Sequence, residues 1–459
     1  MMIEKYALEE MNGGNMKKDL TQGNVMKSML LFAGPMILGN LLQQCYNFAD
    51  TFIVGKFIGA DALAAVGSTY TLMTFLNSIL IGLCMGCGSI FSNCYGAKKF
   101  QELRLNIKMS FGVMSFIAVG INILVFLLLK PILYLLKIPA ELYEMMQGYV
   151  WVVFCGIFFV FLYNYFSFLL RALGNSFVPL CFLGVSSGLN VLLDLVFVLK
   201  CHWGVEGAAL ATVIAQIFSA VGITIYVWKK KTTFFSEYSE AERVLEKKNR
   251  KEYKETMLHI LRYSFASCVQ QSVMNFGILM IQGLVNSFGT AVMAAFAAAV
   301  KIDTLAYMPA QEFGNAFSLF ISQNEGAKDR KRIKEGTKTA FCISVSFCIA
   351  VSLLVCRFSP QLMGLFIDIT EKEIIEIGTG YLRIEGAFYC GIGMLFLLYG
   401  YYRGIGRPEM SLILTVISLG TRVCLAYIAA PLIGVKGIWI AIPIGWALAD
   451  FAGIMRMRN

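Results

Sequence analysis

Residues 186–199, SSGLNVLLDLVFVL, are apolar almost from end to end, yet Asn190 and Asp194 stand four positions apart within them. In a helix this spacing puts the amide and the carboxylate one turn apart on one face. Further upstream, Gln43, Tyr46, Asn47 and Asp50 fall at i, i+3, i+4 and i+7, which makes a single polar stripe along a helix. Downstream, GAALATVIAQ adds Thr212. Asp50, Asn190, Asp194 and Thr212 together offer two carboxylates, an amide oxygen and a hydroxyl. Such hard oxygen ligands suit Na+, or else a proton shared between the two aspartates. An ionisable group inside an apolar helix costs about 2.5 to 3.5 kcal/mol or more on insertion scales, so each is a candidate for function with a partner to be found. The alternative is scaffolding, in which Asn190 and Asp194 cross-link helices by hydrogen bonds.

The elements that must position these residues follow from composition. Of 459 residues, 58% are hydrophobic and 15% charged, and the mean hydropathy is +0.67, too apolar for a water-facing surface. Apolar stretches of about 20 residues, each able to cross a hydrocarbon core as a helix, recur along the chain. Twelve are expected: 29–55, 62–92, 107–129, 143–170, 178–199, 207–228, 257–287, 291–322, 339–366, 378–402, 410–430 and 437–455. Strands are not needed, because helices satisfy every backbone group in lipid and barrel strands would alternate polar with apolar residues. The fold class is therefore an all-α polytopic membrane protein. Residues 1–28 contain no hydrophobic core or small-residue cleavage site and do not read as a secretory signal.

Of the 39 Lys and Arg, 29 fall in segments that share one side of the membrane if the count starts with the N-terminus inside. Basic residues concentrate on the cytoplasmic side, so both termini are expected there, and the net charge of +10 is a topology signal that does not imply nucleic acid. The polar stretch 229–256 divides the chain near its middle. The halves repeat: YGAKK (95–99) returns as EGAKD (325–329), RALG (171–174) as RGIG (403–406) and GVEG (204–207) as GVKG (434–437), at offsets of 230, 232 and 230. Six spans separate equivalent points, so the halves are expected to be parallel repeats, with a substrate path between two bundles. The organisation read from this is a cytoplasmic segment over 1–28, an N-lobe over 29–228, a cytoplasmic linker over 229–256 and a C-lobe over 257–459.

The chain also resembles the MATE (multidrug and toxic compound extrusion) transporters. The resemblance runs from GPMILGNLLQQCYNFADTFIVGKFIGADALAAVG (34–67) through YGAKK and RALGNSFVP. It continues through QQSVMNFGILMIQGLVNSFGTAVMAAFAAAVKIDTLAYMPAQEFGNAFSLFISQNEGAKD (270–329) to RGIGRPEMS (403–411). It implies a cation-coupled antiporter of two six-helix lobes that works by alternating access, is not an enzyme and carries no cofactor. One branch of the family binds its cation through residues that match Asp50, Asn190, Asp194 and Thr212, with Na+ or H+ left open. Small cationic drugs or dyes are the implied substrates, with Gln43, Tyr46, Asn47 and Asn164 expected at the substrate cleft. Pro35 removes a backbone donor from the first span, and the resemblance implies that the resulting bend changes with the ion-bound state. A monomer spanning a bacterial inner (plasma) membrane is the implied setting.

The internal repeat acts as a control on the acidic site. At the repeat offsets Asp194 maps to Cys424 or Ala426, Asn190 to Gly420 or Arg422, Thr212 to Ile442, and Asp50 among Gly277 to Met280. No carboxylate returns, which favours a single ion site in the first half. The second half carries Lys301, Asp303, Glu312, Arg383, Glu385 and Arg422, whose mixed signs suggest an ion-pair network with Lys301 and Asp303 as structural partners. The 13 cysteines are scattered through apolar spans, His202 and His259 are the only histidines, and no GK[ST] occurs, so zinc, His-based catalysis and ATP hydrolysis lack their residues. A flippase for lipids or lipid-linked oligosaccharides is the alternative of similar architecture; it calls for more cavity Arg and Lys than this stripe offers.

Overall fold

A computed structural model describes residues 19–131, 140–235 and 250–458. Residues 1–18 and 236–249, which hold most of the expected N-terminal segment and the middle of the expected linker, lie outside the described residues, as do 132–139 and 459. The helices are α1 (Val25–Phe57), α2 (Ala60–Gly96), α3 (Phe100–Leu127), α4 (Ala140–Cys155), α5 (Ile157–Ala172), α6 (Phe177–Asp194), α7 (Gly204–Phe235), α8 (Arg250–Asn286), α9 (Thr290–Gly326), α10 (Arg330–Met363), α11 (Lys372–Gly386), α12 (Tyr389–Gly404), α13 (Pro408–Ile433) and α14 (Val435–Arg458). No strand occurs among the described residues.

Among the described residues eleven stretches are long and apolar enough to cross a membrane, α4 and α5 counting as one; α11 and α12, bent by 52° at a short break, make a twelfth. The twelve coincide with the stretches read from hydropathy, but several helices begin earlier, among them α3 at Phe100 and α10 at Arg330. Hydropathy cannot see these first turns because they are charged. Tight turns at Ala97–Lys99 and Ala327–Asp329 nevertheless start the helices there, and Asp329 caps α10 by accepting the Arg332 N–H at 2.9 Å.

The repeat is visible in the backbone. Lys98 and Lys328, 230 residues apart, are both left-handed (φ 56° and 58°), a conformation a side chain makes costly. Gly174 and Gly406 (φ 84° and 86°) end α5 and α12 in the same way, and only glycine enters that region freely. The breaks inside the fourth and tenth spans also correspond, since Gly156 caps α5 and Phe388 caps α12.

Burial repeats too. On α3 the buried face runs through Leu103, Asn106, Ser110, Met114, Ala118 and Val125; on α10 it runs through Ile333, Gly336, Ala340, Ser344, Cys348 and Val355, each 230 positions on. Both stripes are rich in small or polar residues, while Phe116, Leu353 and Leu354 point outward. This inverted pattern suits helices whose outer face meets lipid and whose inner face must come close to a neighbour.

The described residues form two compact units, one of Asp19 with Gly34–Cys268 and the other of Leu20–Ala33 with the chain from Val269 onward. The division falls inside α1 and α8, so the first turns of α1 count with the second unit and those of α8 with the first. Leu20 shows the cause: it is wholly buried, its N–H reaches Gln323 Oε1 at 3.1 Å, and its carbonyl accepts from Asn324 at 3.2 Å and from Arg332 Nε at 3.0 Å. Within the first unit α8 lies hard against α2. A Cβ added at Gly82 or Gly86 would stand 2.5 Å from the Cα of Cys268 or Ser264, the close backbone approach that two small residues four apart allow. The first core centres on Phe91, Phe111, Phe161 and Tyr165, whose hydroxyl donates to the Ile107 carbonyl at 2.8 Å. In the second, Phe296 stacks on Trp439 at 5.4 Å and Tyr381 meets the same indole edge-on at 4.9 Å.

Candidate cation site

Asp194 is the last residue of α6, and a π-helical turn, Leu195–Lys200, follows it directly. The wider register is seen in Cys201, whose N–H reaches back five residues to Val196 at 2.9 Å. Such turns shift the following side chains by a fraction of a helical step and recur at functional sites. Hydropathy carries no trace of this one, because Leu195–Lys200 is as apolar as the helix before it.

Asp194 is wholly buried, and neither carboxylate oxygen accepts a hydrogen bond from the described residues. One turn back, Asn190 is 2% exposed and donates its amide to Thr212 Oγ1 on α7 at 3.3 Å; Thr212 passes its own proton to the Ala208 carbonyl at 3.2 Å. These donations fix the amide so that Asn190 Oδ1 is left as a buried acceptor without a donor. Asp50 on α1 is half-buried, with Oδ1 likewise unserved, and it lies within electrostatic reach of Asp194. Asp50 comes from α1, Asn190 and Asp194 from α6, and Thr212 braces the Asn190 amide from α7. Among the described residues no three His, Cys, Asp or Glu converge on a metal-binding geometry. Desolvated carboxylates with no donor require a cation or a proton.

Tyr149 on α4 is the residue the sequence did not single out. It is 8% exposed and lies within electrostatic reach of Asp50, Asp194 and Tyr46. Two glycines let the α4–α5 span approach α7: Gly148 on α4 leaves room for the Glu206 side chain and Gly156, between the two helices, for that of Gln216. A tyrosine in an apolar helix ordinarily means packing, and only its neighbours mark this one.

The polar stripe of α1 is buried in part. Tyr46, Asn47 and Asp50 are half-buried, and Asn47 donates to Gln44 Oε1 at 3.3 Å. Gln43 is exposed, and no residue between Gly39 and Ile53 is fully buried. Asn164 on α5 donates to the Val160 carbonyl of its own helix at 2.8 Å. Pro35 sits inside α1, which runs through it as one helix.

In the second unit the expected pairing of Lys301 with Asp303 is not found. Lys301 is exposed and Asp303 is 4% exposed, because two helical positions turn side chains to nearly opposite sides. Asp303 instead accepts from the Tyr381 hydroxyl at 3.5 Å and shares a buried cluster with Glu385, Tyr389 and Arg422. Arg383 is exposed. Asp450 on α14, 4% exposed, was legible as an acid in an apolar span but was not singled out.

A helical chain with up to twelve candidate spans among its described residues and an internal repeat has the build of a polytopic membrane protein. The MatE family profile matches residues 35–196 and 264–428, one stretch in each half, and the chain belongs to that family. It is a transporter and not an enzyme. Among its relatives are a probable multidrug resistance protein, YpnP, of Bacillus subtilis, 29% identical with 96% of each chain covered, and the multidrug export protein MepA of Staphylococcus aureus, 23% identical over 94% of this chain and 93% of that one. A solved outward-facing structure of a multidrug resistance MATE transporter superposes with a TM-score of 0.86 at 25% identity, covering 96% of this chain and 97% of that one.

Proposed function

We propose that this protein exports small organic cations by exchanging them for Na+ or H+ bound at Asp50, Asn190, Asp194 and Thr212, with access alternating between the two sides of the membrane. The observation that carries this reading is Asp194, a wholly buried carboxylate whose two oxygens accept no hydrogen bond from the described residues. A scaffold aspartate would be spent on donors from a neighbouring helix; this one is left for an ion. The names of the relatives support drugs as cargo, and the half-buried Tyr46 and Asn47 beside Asp50 supply an aromatic face and an amide for it. Pro35 gives α1 a place to yield as the site loads, since its ring removes one helical hydrogen bond. The bias of basic residues supports cytoplasmic termini, and a bacterial plasma membrane and a monomeric state complete the reading.

The test is export of ethidium from cells carrying Asp194→Asn, Asp50→Asn or both. Asparagine keeps the size and the hydrogen-bonding capacity, so membrane levels stay normal while export falls to background in each single variant. The double variant is little worse than either, because the two residues serve one site. Wild-type export by Asp194→Asn sinks the assignment.

A further inference from the structure

The chain just before α1 is tied to the second unit through one arginine. Arg332, in the first turn of α10, donates from Nε to the Leu20 carbonyl at 3.0 Å, from Nη1 to the Gly23 carbonyl at 2.7 Å and from Nη2 to the Gln22 carbonyl at 2.7 Å. Gly23 is left-handed (φ 74°), and its turn brings the three carbonyls to one planar guanidinium. Leu20 is wholly buried and is held further by Gln323 and Asn324. The guanidinium lies over the Phe320 ring at 5.6 Å, and Asn24 then caps α1 by accepting the Lys27 N–H at 3.0 Å. We propose that Arg332 is a positioning residue for the exchange: its clamp fixes the foot of α1, the helix whose far end carries Asp50. This rests on the exchange reading above and adds to it the fixed point from which α1 can yield.

The foot differs from the rest of α1. Val25, Met29, Phe32, Ala33 and Met36 are buried, whereas no residue between Gly39 and Ile53 is. The boundary of the second unit falls between Ala33 and Gly34, beside Pro35, whose ring removes one helical hydrogen bond. The repeat supplies a contrast. In α8, Cys268 and Ser264 meet Gly82 and Gly86 of α2 backbone to backbone. At the offset of 230 the α8 pair answers to Leu38 and Gly34, and the α2 pair to Glu312 and Ala316. A Cβ on Gly34 would meet nothing within 4 Å, and Leu38 is 49% exposed. So α8 is locked at its crossing, while α1 at the same level is open and keeps its foot as the fixed point. Arg332 itself answers to Glu102, a carboxylate already paired with Lys99 at 3.0 Å, which has no donor to offer a carbonyl. Pro35 and Asp50 stand 15 positions apart, about 22 Å along a helix, so a tilt of about 10° at Pro35 moves Asp50 by about 4 Å. A foot that slips by as much absorbs the movement.

The test uses the full-length protein in a cysteine-free background, with spin labels at Met26 in the foot and Leu353 on α10, both exposed. In lipid nanodiscs the wild type gives one narrow distance between them, the same at low and high pH and with or without Na+; Arg332→Leu at least doubles its width. In proteoliposomes Arg332→Leu lowers the maximal rate of ethidium transport per reconstituted molecule at least fivefold and leaves the half-saturating ethidium concentration within twofold. Leu20→Ala, which empties the pocket from a residue outside every helix, gives the same two effects if Arg332→Leu misfolds. An unchanged distance in the folded variants overturns the proposal, and so does wild-type transport by a variant whose distance has broadened. Failure of the exchange reading shows separately, as a wild type that moves no ethidium under either gradient, because the distances are read without one.

Discussion

Asp194 and Asp303 are both buried carboxyls in apolar helices, and their surroundings separate their roles. Asp303 is held by the Tyr381 hydroxyl and lies within electrostatic reach of Glu385 and the half-buried Arg422, so removing it takes a charge partner from that arginine. Breaking such a cluster costs about 3 to 5 kcal/mol. Asp303→Ala is therefore expected to lower expression and melting temperature in detergent more than transport per folded molecule. Lys301→Ala, at an exposed position, should change stability by no more than about 0.5 kcal/mol. Normal folding of Asp303→Ala together with lost transport would move Asp303 into the coupling machinery. The Asn190 and Asp194 pair was legible because a four-residue spacing in an apolar run has few inexpensive explanations. Tyr149 was not, because nothing in an apolar sequence separates a tyrosine beside two carboxylates from one that only packs. The partner of Asp303 was misread because adjacency in sequence replaced direction on the helix.

Helices were legible wherever hydropathy alone decides them, and illegible where geometry intervenes. The π-helical turn after Asp194 and the 52° bend between α11 and α12 leave no compositional mark. The close crossing of α2 and α8 does leave one, in Gly82 and Gly86, and it makes a signed prediction. Gly86→Ala puts a methyl group 2.5 Å from the Ser264 Cα, so backbone must move, and overpacking of this kind costs about 1 to 3 kcal/mol. Gly112→Ala meets nothing within 4 Å, and replacing an interior helical glycine removes a penalty of up to about 1 kcal/mol. Melting curves in one detergent should show Gly86→Ala below wild type and Gly112→Ala level with it or above. Equal melting of the two variants would contradict the α2–α8 contact.

Across the molecule, three short motifs revealed the repeat, but the matching buried stripes of α3 and α10 could not be read in advance. Asn106 answers to Gly336 and Met114 to Ser344, so burial is retained where residue identity is not. The 29 of 39 basic residues on one side predict that single cysteines at both termini and in 229–256 of a cysteine-free background are labelled from the cytoplasm alone. Labelling of 229–256 from outside would reverse the orientation. Exchange is the central claim, and its driving force is sufficient in principle, since one charge moved through 100 mV is worth about 2.3 kcal/mol. Its most direct measurement is ethidium transport in proteoliposomes with the Na+ and pH gradients imposed one at a time. Wild type should move ethidium uphill under at least one gradient, and Asp194→Asn under neither. Uphill transport by Asp194→Asn at the wild-type rate, with the same ion dependence, would contradict a coupling site at Asp194.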